Sequence, residues 1–401
     1  MLAATVLMAC YGTWSVNTYR ASKWAASNDI VGMKKSAALR PHDAQYHARL
    51  GQLQLVTGDL ASATAELKQA TTLNPYDASF WGTLAEISEV SGESDLRRTA
   101  IEYALEADPT TPTVLWEAAN FHLAAGDTAR ALPLYHNLLR YDTHFEGGVT
   151  AVLAGSSVPS EVVLRDVLPA RINAHVSYLQ RLLLKKRSDD AMETWRHIVE
   201  LRQPIPPEAV APYFNALIDT RKTADLQRAW AETVASNPGM SPLQAGEFVT
   251  NGSFEDRLSI AGLDWTFDDA SEGSFAIDTT DFHSGLRSLR VEFDGEKSGL
   301  NRFRQVVPVV PDSQYQLTLS ARFEDVLSAS GPRISVTDAY TGQELGTTEE
   351  LLGSSSWKEL KVKFTNGPNT SLIRISLART SPSLKIHGRM WIDDVSLRRA
   401  Q

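Results

Sequence analysis

The chain has 401 residues, of which 43% are hydrophobic, 22% charged and 8% aromatic. This composition excludes a disordered protein, and the length predicts roughly two or three folded domains. The formal net charge is -9 and no long run of Lys or Arg is present, so nucleic acid is excluded as an expected partner. The single cysteine, Cys10, excludes a disulfide or a zinc-thiolate site within the chain.

Residues 1–18 form an uncharged apolar segment that is followed by Arg20 and Lys23. Three interpretations compete: a single membrane anchor, a lipoprotein signal, or the buried first helix of a helical domain. The second rests on Leu7-Met-Ala-Cys10, which resembles the bacterial lipobox and would place a lipid on Cys10. Either of the first two predicts a membrane-anchored protein at the periplasmic or extracytoplasmic face of a bacterial envelope.

Two sets of residues then recur every 34 positions. One set is a proline after a predicted helix and the other is a glycine followed by an acid: Pro41, Pro75, Pro109, Gly58, Gly92 and Gly126. A left-handed glycine ends a helix and a carboxylate caps the start of the next, so each period predicts a helical hairpin. Hairpins at a fixed period stack into a solenoid.

This register resembles the tetratricopeptide repeat (TPR). Trp81 stands at the aromatic position of the family's first helix and Leu50-Gly51 at its Leu-Gly pair, whereas Arg97 replaces a small residue. The resemblance implies an all-α, TPR-like superhelical solenoid over residues 22–145, with a protein partner on its concave face. Residues 146–240 keep helix signals but lose the register, and we interpret them as degenerate TPR-like repeats.

The helical pattern ends at Pro238-Gly-Met-Ser-Pro242, where the composition shifts to Ser, Thr, Gly and β-branched residues. Apolar residues then alternate with period two, as in Ile373, Ile375 and Leu377. The alternation predicts an all-β sandwich over residues 246–401.

The sandwich opens with Asn251-Gly-Ser-Phe-Glu255 and closes with Trp391-Ile-Asp-Asp-Val-Ser-Leu397. These phrases resemble the carbohydrate-binding modules of the galactose-binding-like jelly-roll type. The resemblance implies a jelly roll, a polysaccharide ligand and a structural calcium ion held by Glu255 with Asp393 or Asp394. A competing interpretation is that these carboxylates cap turns or pair with an arginine such as Arg257. No other cofactor is expected.

Sugar binding in such modules uses exposed rings and polar side chains. The residues predicted for this role lie near turns or on the polar phase of strands: Phe282, Tyr340, Asn301, Arg302 and Arg322. Trp265, Trp357 and Trp391 are expected in the core.

The sequence contains no glycine-rich phosphate loop, no nucleophile elbow and no metal-spaced histidine pair, so we predict a protein that is not an enzyme. The favoured function is an envelope-tethered scaffold or adaptor in the assembly or export of a bacterial surface polysaccharide (an exopolysaccharide). The alternative is an accessory carbohydrate-binding subunit of a polysaccharide-degrading enzyme system.

Overall fold

The computed structural model describes residues 2–267, 274–297 and 303–400. The described contacts divide the chain between Pro169 and Ala170 into two compact units. The first unit is entirely helical, and its first eight helices form four hairpins: α1 Leu2–Ala25, α2 Ile30–Leu39, α3 Ala44–Val56, α4 Leu60–Leu73, α5 Ala78–Ser91, α6 Ser94–Ala107, α7 Pro112–Ala124 and α8 Thr128–Tyr141. A 3₁₀ turn at Thr143–Phe145 leads to α9 Glu146–Gly155 and α10 Ser160–Asp166.

The recurring glycines and two of the three recurring acids act as the sequence analysis predicts, whereas the Glu93 side chain does not cap α6. Gly58, Gly92 and Gly126 all have positive φ and follow the first helix of a hairpin. The carboxylates of Asp59 and Asp127 accept the N–H groups of Ser62 at 3.2 Å and Arg130 at 3.1 Å, which caps α4 and α8. The TPR-like hairpin architecture predicted from the 34-residue register is therefore confirmed.

Helix α1 forms the first helix of the first hairpin. Its Ala21 is fully buried, and the carbonyl oxygen of Ala21 accepts a hydrogen bond from the Ser36 hydroxyl of α2 at 2.8 Å. Within the described residues, no helix combines the length and apolarity that a membrane crossing requires. The predicted membrane anchor at residues 1–18, and the envelope location inferred from it, were wrong. Cys10 is exposed on α1.

The second unit contains four helices followed by the β domain. The helices form two further hairpins: α11 Ile172–Leu184, α12 Ser188–Glu200, α13 Pro207–Asp219 and α14 Thr223–Ser236. They contact the β domain closely. Gly262 lies against Trp230 of α14, and the Arg221 guanidinium stacks 4.7 Å from the ring centre of Tyr340.

The β domain is a sandwich of two antiparallel sheets. The described strands are β1 Ser274–Asp278, β2 Ser288–Lys297, β3 Arg304–Pro308, β4 Gln314–Leu327, β5 Pro332–Asp338, β6 Glu344–Thr347, β7 Gly353–Thr365, β8 Leu372–Arg379 and β9 Lys385–Arg399. One sheet has the order β1-β2-β9-β4-β7 and the other the order β3-β8-β5-β6. The predicted all-β sandwich is confirmed.

Aromatic and branched side chains fill the space between the two sheets. Trp265 is buried and stacks on Phe303 with ring centres 4.7 Å apart, and Trp391 is buried as expected. Trp357 is only partly buried, contrary to expectation. The reason is the strand period: Leu360 and its alternates on β7 face the core, so Trp357 lies on the opposite phase.

Candidate functional site

A polar cleft lies on the outer face of the four-stranded sheet. Along β8, Ile373, Ile375 and Leu377 enter the core, so the alternate residues Arg374 and Ser376 face outward. Together with residues of β3, β5, β6 and the β5–β6 turn they enclose about 350 Å³. We call this site the arginine cleft, lined by Arg304, Arg333, Ser335, Thr337, Gly342, Glu344, Arg374, Ser376, Ala378 and Arg379.

Strand pairing brings these residues together although they are distant in sequence. Ser376 of β8 lies opposite Arg304 of β3 on one side and opposite Ser335 of β5 on the other. Arg374 lies opposite Thr337 of β5. The cleft therefore has rows of guanidinium groups and hydroxyl groups that cross three strands. Ser335 and Ser376 are buried on its floor.

Of the four arginines that line the cleft, Arg379 has a structural role. It is 5% exposed, and its guanidinium donates to the carbonyl oxygens of Ser330 at 3.0 Å and Leu384 at 2.8 Å and to the Ser328 hydroxyl at 2.8 Å. These bonds join two loops at the end of the sheet. Arg379 thus supports the cleft from the inside.

Arg333 and Arg374 have different surroundings in the cleft. Arg333 pairs with Glu344 at 3.2 Å, and Glu344 is the one carboxylate among the described residues that line the cleft. Burial, and secondly the charge of Arg304, lower the pKa of the Arg374 guanidinium. In the part of the chain that the structure describes, Nε of Arg333 and Nε of Arg374 are buried without a hydrogen-bond partner.

The residues predicted for sugar binding lie elsewhere or outside the described part. Asn301 and Arg302 lie outside the described residues. Phe282 is half-buried in the loop of residues 279–287 between β1 and β2. The Tyr340 ring is covered by Arg221, and Arg322 of β4 pairs with Asp281 and stacks 4.7 Å from the ring centre of Trp391. Tyr340 and Arg322 thus have different partners, and sugar binding by the five residues stays a prediction.

The three carboxylates predicted to bind calcium all contact the β1–β2 loop. Glu255 Oε1 accepts the N–H groups of Leu286 at 2.7 Å and Arg287 at 3.0 Å. Asp393 Oδ2 accepts those of His283 at 2.8 Å and Ser284 at 3.0 Å. Asp394 lies 2.6 Å from both His283 Nδ1 and the Ser284 hydroxyl.

This arrangement does not fit a calcium ion as placed. Calcium takes six to eight oxygen ligands around one point, whereas these oxygens face N–H and O–H donors. No group of three or more His, Cys, Asp or Glu residues within the described ranges is arranged to hold a metal ion. The geometry matches the turn-capping interpretation, and calcium stays a prediction that melting with calcium or chelator can test.

The first unit holds a second polar groove along α5, α6 and α7. It encloses about 430 Å³, and Gly82, Thr83, Glu86 and Glu117 are among its lining residues. Arg97, the departure from the repeat pattern, pairs with Glu89 at 2.9 Å and stacks 5.3 Å from the centre of the Phe121 ring. The larger side chain thus contacts the next repeat.

The fold defines a class: a TPR-like helical repeat protein that ends in an all-β sandwich. The comparison with family models agrees, because residues 246–382 match the model described as carbohydrate binding domain. The recognition made from the sequence phrases is thereby confirmed. No curated protein matches the chain.

Solved structures give similarities for each part. YrrB, a TPR protein with an unusual peptide-binding site, is 17% identical, with a TM-score of 0.31 over 42% of this chain and 91% of its own. The CBM22-1 xylan-binding domain of Xyn10C from Paenibacillus barcinonensis is 15% identical, with a TM-score of 0.30 over 40% of this chain and 99% of its own. TmCBM61 in complex with beta-1,4-galactotriose is 18% identical, with a TM-score of 0.28 over 38% and 99%.

Proposed function

We propose that this chain is a non-catalytic scaffold that holds a polysaccharide in the arginine cleft and a protein partner in its helical groove. The observation that carries the proposal is the coincidence of a family and a site: residues 246–382 match a carbohydrate binding domain, and four described strands of that region enclose a polar cleft. Binding sites of this kind are concave and present a few convergent polar groups.

The cleft offers the donors and acceptors that sugar hydroxyls need. Ser376 and Thr337 each present a hydroxyl that can donate and accept, whereas the Ser335 hydroxyl donates to Glu344 at 3.2 Å and can accept. The guanidinium groups donate in a planar fork. Ser335 and Ser376 are buried on the floor of the cleft, so ligand hydroxyls there would compete with little water.

Retardation of the full chain in gels that contain polysaccharide tests whether the arginine cleft binds polysaccharide. Ser376→Ala removes a floor hydroxyl, and we expect it to weaken binding about three- to tenfold, the equivalent of one hydrogen bond. Ser355→Ala, at a half-buried position of β7 in the other sheet, is the matched control. No retardation by any polysaccharide, or equal retardation of both variants and the wild type, would contradict glycan binding in the cleft.

The helical groove supports the proposal that the chain binds a protein partner. Acidic residues of α5 and α7 line it, and a repeat surface of this kind commonly receives an extended segment of another protein. Glu86→Arg reverses a charge inside the groove, whereas Glu106→Arg reverses one on α6 outside its lining. We expect a co-purified partner to be lost from the first variant and kept by the second; retention by both would contradict binding in this groove.

The identity of the partner distinguishes the two roles open to such a scaffold. A glycosyltransferase or an export component supports polysaccharide assembly or export, which is the role we favour. A glycoside hydrolase supports an accessory subunit of a degrading system. The catalytic step belongs to the partner in both cases.

A further inference from the structure

We propose that two copies of this chain pair through helix α1, each copy covering an apolar stripe on the other. The stripe consists of Leu7, Tyr11 and Trp14, and we call it the open stripe of α1. Such a dimer needs neither a ligand in the arginine cleft nor a protein partner in the helical groove, so it stands apart from the proposed function.

Helix α1 is much longer than the helix on which it packs. It has 24 residues and α2 has 10, so at a rise of about 1.5 Å per residue it extends about 20 Å beyond α2. Arg40, the residue after α2, lies where the contact between the two helices ends. Its guanidinium donates to the Thr18 hydroxyl and stacks 5.2 Å from the centre of the Trp14 ring. Residues 2–13 therefore lie beyond the end of α2.

One line of residues along α1 has the spacing of a helix-packing face. Its members recur at alternating steps of four and three: Leu7, Tyr11, Trp14, Thr18 and Ala21. Such steps place side chains in one line along a helix, as in the seam of a coiled coil. Towards α2 this line is already packed, because Ala21 is fully buried and its carbonyl oxygen accepts from the Ser36 hydroxyl at 2.8 Å. The open stripe continues the same packing face, so its expected partner is another helix.

The side chains of the open stripe are apolar and exposed. Leu7 and Tyr11 are each 70% exposed and Trp14 is 53% exposed. The rings of Tyr11 and Trp14 stack on each other with centres 5.9 Å apart, so they form one continuous surface. A contiguous apolar surface of this kind marks an interaction site, and a helix without packing is only marginally stable in water.

The charge of this region favours a second copy of the same chain as the partner. Residues 1–19 contain no Asp, Glu, Lys or Arg, whereas the whole chain carries a net charge of -9. Charged residues beside a coiled-coil seam select a different partner by opposite charge, and this segment has none. Two open stripes are identical and uncharged, so they match each other about a two-fold axis. An antiparallel arrangement also keeps the two acidic chains at opposite ends of the pair.

The apolar surface on α1 is sufficient for a weak dimer. Aromatic side chains bury about 150–250 Å² each when fully covered, and Trp and Tyr contribute most at the centres of interfaces. Leu7 and the exposed Met8 beside the stripe bring the available surface to about 400–500 Å² per copy. Two copies would bury about 800–1,000 Å² in total, which is in the range of weak and transient complexes. We therefore expect a dissociation constant in the micromolar range.

Sedimentation velocity of the full chain from about 1 to 100 µM tests the pairing. We expect the wild type to pass from monomer to dimer over this range. Tyr11→Glu brings a charge into the stripe near the same charge of the other copy and should weaken dimerisation at least about tenfold. Tyr76→Glu makes the same change at another exposed tyrosine, in the turn between α4 and α5, and should leave dimerisation unchanged. A melting curve of each variant identifies loss of folding.

Cys10 gives an independent measurement, because it is exposed and is the only cysteine of the chain. It precedes Tyr11 and flanks the open stripe, where an antiparallel pair places it beside Cys10 of the other copy. A short bismaleimide, which joins two thiols, should therefore yield a covalent dimer of the wild type and of the Tyr76→Glu variant. The Tyr11→Glu variant should yield at least about tenfold less.

Three results would overturn the pairing. The first is a monomer at every concentration. The second is a dimer that Tyr11→Glu leaves intact or that Tyr76→Glu weakens equally, since the interface would then lie elsewhere. The third is a monomer that co-sediments with phosphatidylcholine vesicles and loses this property in Tyr11→Glu, which would assign the stripe to a lipid surface. Glycan binding in the arginine cleft is unaffected by all three results.

Discussion

Gly51 and Gly82 both lie inside helices of the repeat region, but their surroundings differ. A Cβ added to Gly51 of α3 would lie 2.2 Å from Leu67 Cδ2 and 3.1 Å from the Ala63 carbonyl oxygen, whereas a Cβ on Gly82 of α5 would meet no atom within 4 Å. The Leu-Gly pair of the repeat pattern therefore marks a close approach of two helices.

We expect Gly51→Ala to lower the free energy of unfolding by about 1–3 kcal/mol, because the added methyl group forces α3 and α4 apart. Gly82→Ala should instead raise it by about 0.5–1 kcal/mol, since alanine favours the helix and nothing opposes its side chain. Urea unfolding followed by circular dichroism measures both. Destabilisation of equal size in the two variants would show that helix packing does not decide the effect.

The Asp278 carboxylate links the β1–β2 loop to the last strand. It accepts hydrogen bonds from the Thr280 N–H at 2.8 Å, the Thr280 hydroxyl at 2.7 Å and the Trp391 indole N–H at 3.0 Å. Burial by itself would raise the pKa of Asp278, but these bonds outweigh it and hold the pKa well below its ordinary value of 3.8. The ionised carboxylate therefore stabilises the folded state.

We expect Asp278→Asn to lower the free energy of unfolding at pH 7 by about 1–3 kcal/mol. A depressed folded pKa contributes stability that is complete above about pH 4 and is lost as the pH falls further. The difference in free energy of unfolding between wild type and variant should thus be constant from pH 7 to pH 5 and shrink below pH 4. Asp95→Asn, on the surface of α6, is the control. A gap that stays the same down to pH 3 would contradict the assignment.

At the scale of elements, helix α14 and the β domain meet at a glycine. Gly262 has φ +60°, and a Cβ there would lie 2.5 Å from Trp230 Cε3 and 3.0 Å from Phe214 Cδ2. The position excludes larger residues for two reasons: the backbone is left-handed and two aromatic rings from α13 and α14 cover it. The sequence patterns that predict strands and helices did not indicate this contact between Gly262 and the two rings.

Gly262→Ala should lower the melting temperature through a loss of about 1–3 kcal/mol, the cost of a left-handed non-glycine residue plus the steric clash. Gly239→Ala, at a position with no atom within 4 Å, is the matched control and should change stability by less than about 0.5 kcal/mol. The tryptophan fluorescence of the chain, to which Trp230 contributes as one of nine Trp residues, should shift in the first variant only, because the Trp230 ring is displaced. Unchanged fluorescence in a destabilised Gly262 variant would attribute the loss to backbone strain alone.

At the scale of the whole molecule, the change in composition near residue 240 does not coincide with the division of contacts. The contacts divide at Pro169/Ala170, so α11–α14 belong to the same compact unit as the sandwich. The Thr223 and Ser371 hydroxyls, 3.1 Å apart, are one of the links that hold these helices to the sheets. The last helices thus form part of the folded unit that carries the arginine cleft.

We therefore expect a fragment of residues 170–401 to melt at least about 2–4 °C higher than a fragment of residues 238–401, which corresponds to about 1 kcal/mol at this size. Removal of α14 exposes the surface around Gly262 that Trp230 covers in the intact unit. Differential scanning calorimetry on both fragments checks the difference. Equal melting temperatures would show that the helices add nothing to the stability of the sandwich.

The sequence by itself determined the class of each half. The 34-residue register of Gly58, Gly92 and Gly126 sets helix ends, and the period-two alternation at Ile373 and Ile375 sets which face of a strand is buried. Both patterns depend on neighbours along the chain, so they can be read before the fold is known. The carbohydrate-binding resemblance was likewise carried by short contiguous phrases.

Only the tertiary structure decided where the polar residues converge. Arg304, Ser335 and Ser376 share one row because β8 pairs with β3 on one side and with β5 on the other, and no local pattern encodes that strand order. The ring of Tyr340, predicted to belong to a ligand surface, is covered by Arg221 from the turn between α13 and α14, a contact that no local pattern encodes. Local periodicity tells which residues leave the core, whereas strand pairing and helix packing decide what they then meet.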